Sequence, residues 1–306
     1  MQDLVALESL STQDIESLLD LSQNMAEILD RPIKKVPTLR GKAVVNLFFE
    51  PSTRTRNSFE LAAKYLSADV INVQQSGSSV EKGETLWDTA RNLSEMAVDG
   101  VIVRHQVSGV PQQLADILDI PVINAGDGSH EHPTQGLLDA LTISQAKGSL
   151  AGLKVAIVGD VLHSRVARSD IHVLLALGAH VVLVGPPTVL PESYEELGVE
   201  VTTDLRRALS DADAIQVLRL QKERQNSGEI PSLWEYRLRW GITSQTVSWA
   251  KPDAVILHPG PQNRGVEIDS DILESSRSWV LRQVRNGVAV RMAVLFRLLG
   301  GGRGDE

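Results

Sequence analysis

The chain has 306 residues, 42% of them hydrophobic and 23% charged, with a formal net charge of −9 from 30 basic and 39 acidic side chains. That length exceeds one small core and calls for about two domains of ordinary globular composition. The absence of cysteine excludes disulfides, thiolate metal sites and a cysteine nucleophile, and an acidic chain with 4% aromatics disfavours nucleic-acid binding.

In chain order, the opening "MQDLVALESLS" lacks the basic start and long apolar core of a signal peptide. No apolar run reaches the roughly 20 residues that span a bilayer, so a cytoplasmic protein is expected. Residues 11–30 place Ile15, Leu18, Leu19, Met25, Ile28 and Leu29 at near-helical spacing, with Ser11 and Asp14 as a capping pair and Pro32 as the stop. Strands and helices then alternate. "AVVNLFF" leads to a helix over about 53–66, "ADVINV" to one over 85–96, and "GVIVR" to one near 111–118, before "IPVINA". Strands apolar nearly throughout and separated by helices indicate parallel sheets buried on both faces.

A helix over 134–147 ends in Gly148, and the pattern restarts with "LKVAIVGD", a helix to Gly178, "AHVVLVG", "ADAIQVL" and "DAVILHPG". The expectation is an α/β protein of two domains, each a mostly parallel sheet flanked by helices, joined by interdomain helices. The first domain covers 1–133 plus a C-terminal helix of about 285–306, and the second covers 134–284, with a hinge near 134–150. The last helix, about 279–299, precedes the glycine-rich "GGGRGDE".

Ligands of open parallel sheets gather at the carboxyl ends of the strands. Here those ends read "EPSTRTR", "RHQ" and "HEHPTQ" in the first domain, then "VLHSRVARS", "RLQKER" and "PQNRG" in the second. Arginine, histidine and hydroxyls recur at nearly every one. Where "VVNLFF" meets a helix, unpaired N–H groups and a partial positive charge form an anion site. Ser52 and Thr53 add hydroxyls and Arg54 a planar fork suited to phosphate, whereas Arg56, two residues on, points elsewhere. The competing reading is that Ser52 or Thr53 only caps the helix and both arginines are solvated. His132 in "HPTQ" is likewise either a ligand group or a structural histidine. Arg165 and Arg168 stand at i and i+3, so one helix face can carry both.

Several chemistries have no support. There is no G-x-G-x-x-G after a strand, no G-x-x-x-x-G-K-[ST] loop, no H-E-x-x-H and no G-x-S-x-G elbow. Neither a metal nor another cofactor is implied.

Taken together, "STRTR", the lysine-glycine loop of "SSVEKGET" and "HPTQ", in that order, resemble the aspartate/ornithine carbamoyltransferase family over essentially the whole chain. "RLQKER" and the "HP" loop are similar to its aspartate branch. The ornithine branch would instead show a cysteine in "HCLP" and an "SMG" loop, and this chain has neither. The resemblance implies transfer of the carbamoyl group of carbamoyl phosphate to the amine of L-aspartate, in pyrimidine biosynthesis. It assigns carbamoyl phosphate to Ser52, Thr53, Arg54, Thr55, Arg104, His132 and Gln135, with backbone groups of Gly260 and Pro261 on the carbamoyl amide. It assigns aspartate to Arg165, Arg219 and Gln221. Ser78 and Lys82 would enter from a neighbouring subunit of a homotrimer, and a regulatory chain or a dihydroorotase would be a possible further partner. The catalytic set is then Arg54, Thr55, Lys82, Arg104 and His132. Carbamoyl phosphate would bind first and the domains close on aspartate. Gly260 departs from the family, which often has leucine or alanine there. The alternatives are another amine acceptor, such as ornithine, or a non-catalytic anion-binding subunit of a larger complex.

Overall fold

The computed structural model describes residues 1–74, 85–220, 229, 230 and 232–300. The chain divides into two compact units, Met1–Leu137 with Arg285–Glu306, and Leu138–Val284.

The first unit opens with α1 (Thr12–Ile28), whose Ser11 cap behaves as its spacing predicts. The Ser11 hydroxyl accepts the Asp14 N–H at 3.1 Å and donates to the Asp14 carboxylate at 2.7 Å. Then follow β1 (Ala43–Phe48), α2 (Thr53–Tyr65), β2 (Asp69–Gln74), α3 (Leu86–Glu95), β3 (Gly100–His105), α4 (Val110–Ala115) and β4 (Val122–Asp127). The strands form one parallel sheet in the order β2-β1-β3-β4. Val45, Leu47, Val101, Val103 and Val122 are buried in it, each contributing about 1.5–3 kcal/mol of apolar burial. Near-continuous apolar strands are what such two-sided burial requires.

Helix α5 (Pro133–Lys147) begins in the first unit and ends in the second. The second unit continues with β5 (Lys154–Val158), α6 (Arg165–Ala176), β6 (His180–Val184), β7 (Glu200–Thr202), α7 (Leu205–Leu209) and β8 (Ala214–Val217). It ends with α8 (Leu233–Trp240), α9 (Ser244–Val247), β9 (Val255–Leu257) and α10 (Ser270–Leu273). Its five strands are parallel in the order β7-β6-β5-β8-β9. Strand β7 and helices α7 to α10 have no counterpart in the periodicity reading, and β7 and α9, of three and four residues, are too short to show a period.

The last helix, α11 (Val280–Leu299), falls with the first unit from Arg285 onward. There the Arg291 guanidinium lies 5.0 Å from the centre of the Phe59 ring and donates to the Gly287 carbonyl at 3.0 Å. No helix among the described residues is long and apolar enough to cross a membrane.

Strand order creates a switch point in each sheet. In the first, the chain leaves β1 towards β2 on one side and returns to β3 on the other. In the second, β5 leads to β6 and β7 on one side, and β8 and β9 lie on the other. The crevice at the carboxyl end of such a switch is where open parallel sheets bind ligands. The β1/β3 switch is flanked by the start of α2 and by Arg104, and the β5/β8 switch by the start of α6 and by Arg219.

Candidate active site

In the first unit, Ser52 is the N-cap residue of α2, with φ −158° and ψ 93°, and its side chain makes no capping hydrogen bond. The first turn also lacks an acidic residue, so its positive end is not neutralised from within the helix. This geometry answers the capping alternative for Ser52: the hydroxyl is not used on its own helix. Thr53 and Arg54 are exposed, whereas Thr55 is buried at 8% exposure. Arg54 thus places an exposed guanidinium in the first turn of α2.

Arg104, at the end of β3, is buried and held from two directions. Its Nη2 donates to the Glu50 carboxylate at 2.7 Å and its Nη1 to the Ala125 carbonyl at 3.1 Å. Its own carbonyl accepts the Phe49 N–H at 2.9 Å, which ties the corner before α2 to the end of β3. Neighbouring His105 packs against Phe49 with ring centres 5.8 Å apart and planes tilted by 59°, and burial holds its imidazole below the ordinary histidine value. A neutral ring therefore stands beside the Arg104 cation.

His132 and Gln135 lie at the start of α5, and both are buried. The His132 carbonyl accepts the N–H groups of Gln135 at 2.8 Å and Gly136 at 3.2 Å, so His132 heads the helix. The turn before it is fixed by Asp127, which accepts from the Gly109 N–H at 2.6 Å, Asn124 Nδ2 at 2.8 Å and the Glu131 N–H at 3.2 Å. Burial pushes the Asp127 carboxyl up, but hydrogen bonds from His130, Gly109 and Asn124 outweigh it and leave it below its ordinary value. Glu131 in turn accepts the Leu7 N–H at 3.0 Å. The sheet therefore brings Ser52, Thr53, Arg54, Thr55, Arg104, His132 and Gln135 to one edge of one unit.

In the second unit, Ser164 caps α6 by accepting the Ala167 N–H at 3.1 Å, and Arg165, the first residue of that helix, is buried at 6% exposure. The loop before it is held by Asp160, which is fully buried and lies 2.9 Å from His163 Nδ1. Gly159 has φ 132°, and a Cβ there would meet Leu218 Cβ and Tyr236 Oη at 3.1 Å, so this close crossing of β5 and the end of β8 requires glycine. The Arg168 guanidinium lies 5.6 Å from the Tyr194 ring centre. Arg219 follows β8 and is half-buried. Gly260 and Pro261 follow β9, joined by a cis peptide bond, with Gly260 at φ 65°. In that left-handed region glycine carries no Cβ penalty. Ser78, Lys82 and Gln221 lie outside the described residues.

Sequence reasoning missed Glu50, Asp127 and Glu267, because an isolated acidic residue beside a motif carries no period or spacing of its own. No cluster of three or more His, Cys, Asp or Glu suited to a metal ion occurs among the described residues.

Two domain families match the chain. Residues 2–145 match the aspartate/ornithine carbamoyltransferase carbamoyl-P binding domain, and residues 151–298 the Asp/Orn binding domain. The chain belongs to the aspartate/ornithine carbamoyltransferase family. It is 55% identical, over 97% of its length and 95% of the relative's, to the aspartate carbamoyltransferase catalytic subunit of Opitutus terrae. It is 56% identical to that of Geotalea daltonii, over 98% of this chain and 97% of the relative. Its fold superposes on ornithine carbamoyltransferase from Pyrococcus furiosus with a TM-score of 0.89 at 31% identity, covering 99% and 98% of the two chains. It superposes on aspartate transcarbamoylase from Trypanosoma cruzi in complex with carbamoyl phosphate at 0.87 and 30% identity, covering 97% and 96%.

Proposed function

We propose that the chain transfers the carbamoyl group of carbamoyl phosphate to the amine of L-aspartate, giving N-carbamoyl-L-aspartate and phosphate. Likeness of fold does not separate the two branches, since an ornithine enzyme and an aspartate enzyme superpose about equally well. The observation that carries the reading is identity above one half, over nearly the full chain, to catalytic subunits named for aspartate. Arg219 beyond β8 agrees with it, because an added cation suits a carboxylate substrate and opposes the cationic side chain of ornithine.

Carbamoyl phosphate is assigned to the first unit. Its phosphate lies against the α2 N-terminus with Ser52, Thr53, Arg54 and Thr55, and Gln135 completes the set. Charge builds on the carbonyl oxygen as the neutral amine attacks, and Thr55, Arg104 and His132 are the donors aimed at it. One such donor contributes about 2.7–4 kcal/mol of transition-state stabilisation. Support comes from the pre-set guanidinium of Arg104, held by Glu50 and the Ala125 carbonyl, which needs little reorganisation at the moment of reaction. Aspartate's carboxylates are assigned to Arg165, Arg219 and Gln221, and the carbamoyl amide to the Gly260 and Pro261 backbone. The departing phosphate takes the amine's proton, so the chain needs no separate general base. A homotrimer in which Ser78 and Lys82 come from a neighbouring subunit, and a cytoplasmic location, belong to the same proposal.

The test is ureido-product formation from carbamoyl phosphate with L-aspartate and, separately, with L-ornithine. Aspartate-only turnover supports the reading. Turnover with ornithine overturns the acceptor assignment, and no product with either overturns the activity.

A further inference from the structure

The stretch following β9 is built around two buried side chains to which the sequence reading assigned no role. His258 and Glu267 both have fully buried side chains, with His258 Nε2 3.2 Å from Glu267 Oε1. On the other edge of the ring, the Gly260 N–H donates to His258 Nδ1 at 2.8 Å. A nitrogen that accepts a backbone N–H carries no proton, so the ring's proton sits on Nε2 and is donated to Glu267. The same carboxylate accepts the Asn263 N–H at 2.5 Å on Oε1 and Asn263 Nδ2 at 3.0 Å on Oε2. Residues on both sides of Gly260–Pro261 are therefore pinned to one carboxylate. The assembly is anchored below, where the His258 N–H donates to Gln283 Oε1 at 2.8 Å and Gln283 Nε2 donates to Asp139 Oδ1 at 2.6 Å. It reaches sideways to the end of β8, where Asn263 Nδ2 donates to the Leu220 carbonyl at 3.4 Å.

We propose that His258, held as the neutral Nε2–H tautomer by Glu267, is a positioning residue that aims the Gly260–Pro261 backbone at the carbamoyl amide. The inference rests on the assignment of that backbone to the amide under the proposed function. Its physical content is that the Gly260 N–H, engaged by the ring, fixes the orientation of the following peptide groups. Their carbonyls are then set in advance rather than ordered by the ligand.

Two substitutions separate the two edges of the ring. His258→Asn keeps an oxygen near the Nδ1 position, able to accept the Gly260 N–H, and loses Glu267. His258→Gln keeps a donor near the Nε2 position and loses the Gly260 bond. Calorimetry on the full chain compares phosphonoacetamide, which has the amide, with inorganic phosphate, which lacks it. The expected result for His258→Gln is about tenfold weaker phosphonoacetamide binding, equivalent to about 1.4 kcal/mol, with phosphate binding unchanged. His258→Asn should recover most of that loss. Nitrogen-15 shifts of His258 should report the Nε2–H tautomer. Equal weakening of both ligands in His258→Gln would make the pair merely structural and overturn the proposal, as would wild-type affinity for both or an Nδ1–H tautomer. An unaltered chain that binds phosphonoacetamide but forms no product with aspartate would instead refute the proposed function and leave this test standing.

Discussion

Glu50 holds the Arg104 guanidinium at 2.7 Å across 54 residues of sequence, while the Ala125 carbonyl takes a second of its N–H groups. This pair sets the direction in which the cation of the first unit points. Arg104→Ala should lower kcat by about 10²–10³, the scale of a lost carbonyl-oxygen donor. Glu50→Ala should lower kcat/KM by about tenfold, because the guanidinium keeps its charge and loses one of its charge-assisted bonds. Steady-state kinetics with both substrates varied checks the order of the two effects. A Glu50→Ala loss as large as that of Arg104→Ala would mean that Glu50 has a role beyond orientation.

A second buried acid faces its own kind. Asp139 accepts Gln216 Nε2 at 2.9 Å and Gln283 Nε2 at 2.6 Å, and the carboxyl of Asp170, 1% exposed, faces Asp139 and Gln216. Two carboxyls facing each other in a buried setting need a proton between them, which we assign to Asp170. Burial first, and the Asp139 charge second, raise the Asp170 carboxyl well above its ordinary value. The folded chain then holds a proton that the unfolded chain releases near about pH 4. Stability from this group is complete below that pH and is lost as pH rises towards the folded value. Asp170→Asn, whose amide donates to Asp139 at any pH, should flatten this decline and unfold at a higher temperature than the unaltered chain at pH 8. Melting curves at pH 5 and pH 8 test it, and a gap between the two proteins that does not widen with pH would reject it.

Asp127 is expected to behave with the opposite sign. Its folded value lies below the ordinary one, so its contribution is complete above about pH 4 and is lost as pH falls through the folded value. Asp127→Asn keeps a single acceptor oxygen, so either the Gly109 N–H on Oδ2 or the Glu131 N–H on Oδ1 then meets an amide NH2, and the chain should be destabilised by about 2–3 kcal/mol at pH 7. The deficit should shrink on acidification. Urea unfolding at pH 7 and pH 3.5 measures both numbers.

If sites are shared between subunits, Arg54→Ala and Lys82→Ala are each nearly inactive, yet mixtures regain activity. Dissociation and remixing of a 1:1 mixture into trimers leaves one intact site in a fraction of them. Activity measured after remixing, against each variant treated alone, is the readout. A mixture no more active than its parts would confine each site to one chain.

The alternation of apolar strands with helices was legible because parallel sheets bury both faces of every strand, which writes itself as unbroken runs such as "VVNLFF" and "VAIV". The same runs announce their carboxyl ends, so Arg54, Arg104, His132, Arg165 and Arg219 stood out by following them. Helix α1 was legible down to its Ser11 cap, since capping is a local interaction three residues long. Short elements such as β7 and α9 were not, because three or four residues cannot display a period.

Strand order was decided only in three dimensions. Nothing within β1 or β5 states that the chain reverses direction beside it, yet that reversal selects which two strand ends flank a crevice. The pairs Glu50–Arg104, His258–Glu267 and Asp139–Gln283 likewise depend on tertiary packing. A side chain's electrostatic partner is whatever the folded backbone brings within about 3 Å, and for buried polar groups that choice is non-local. The sequence by itself determined the chemical types available at the strand ends. The packed structure determined which of them are held fixed, and by what.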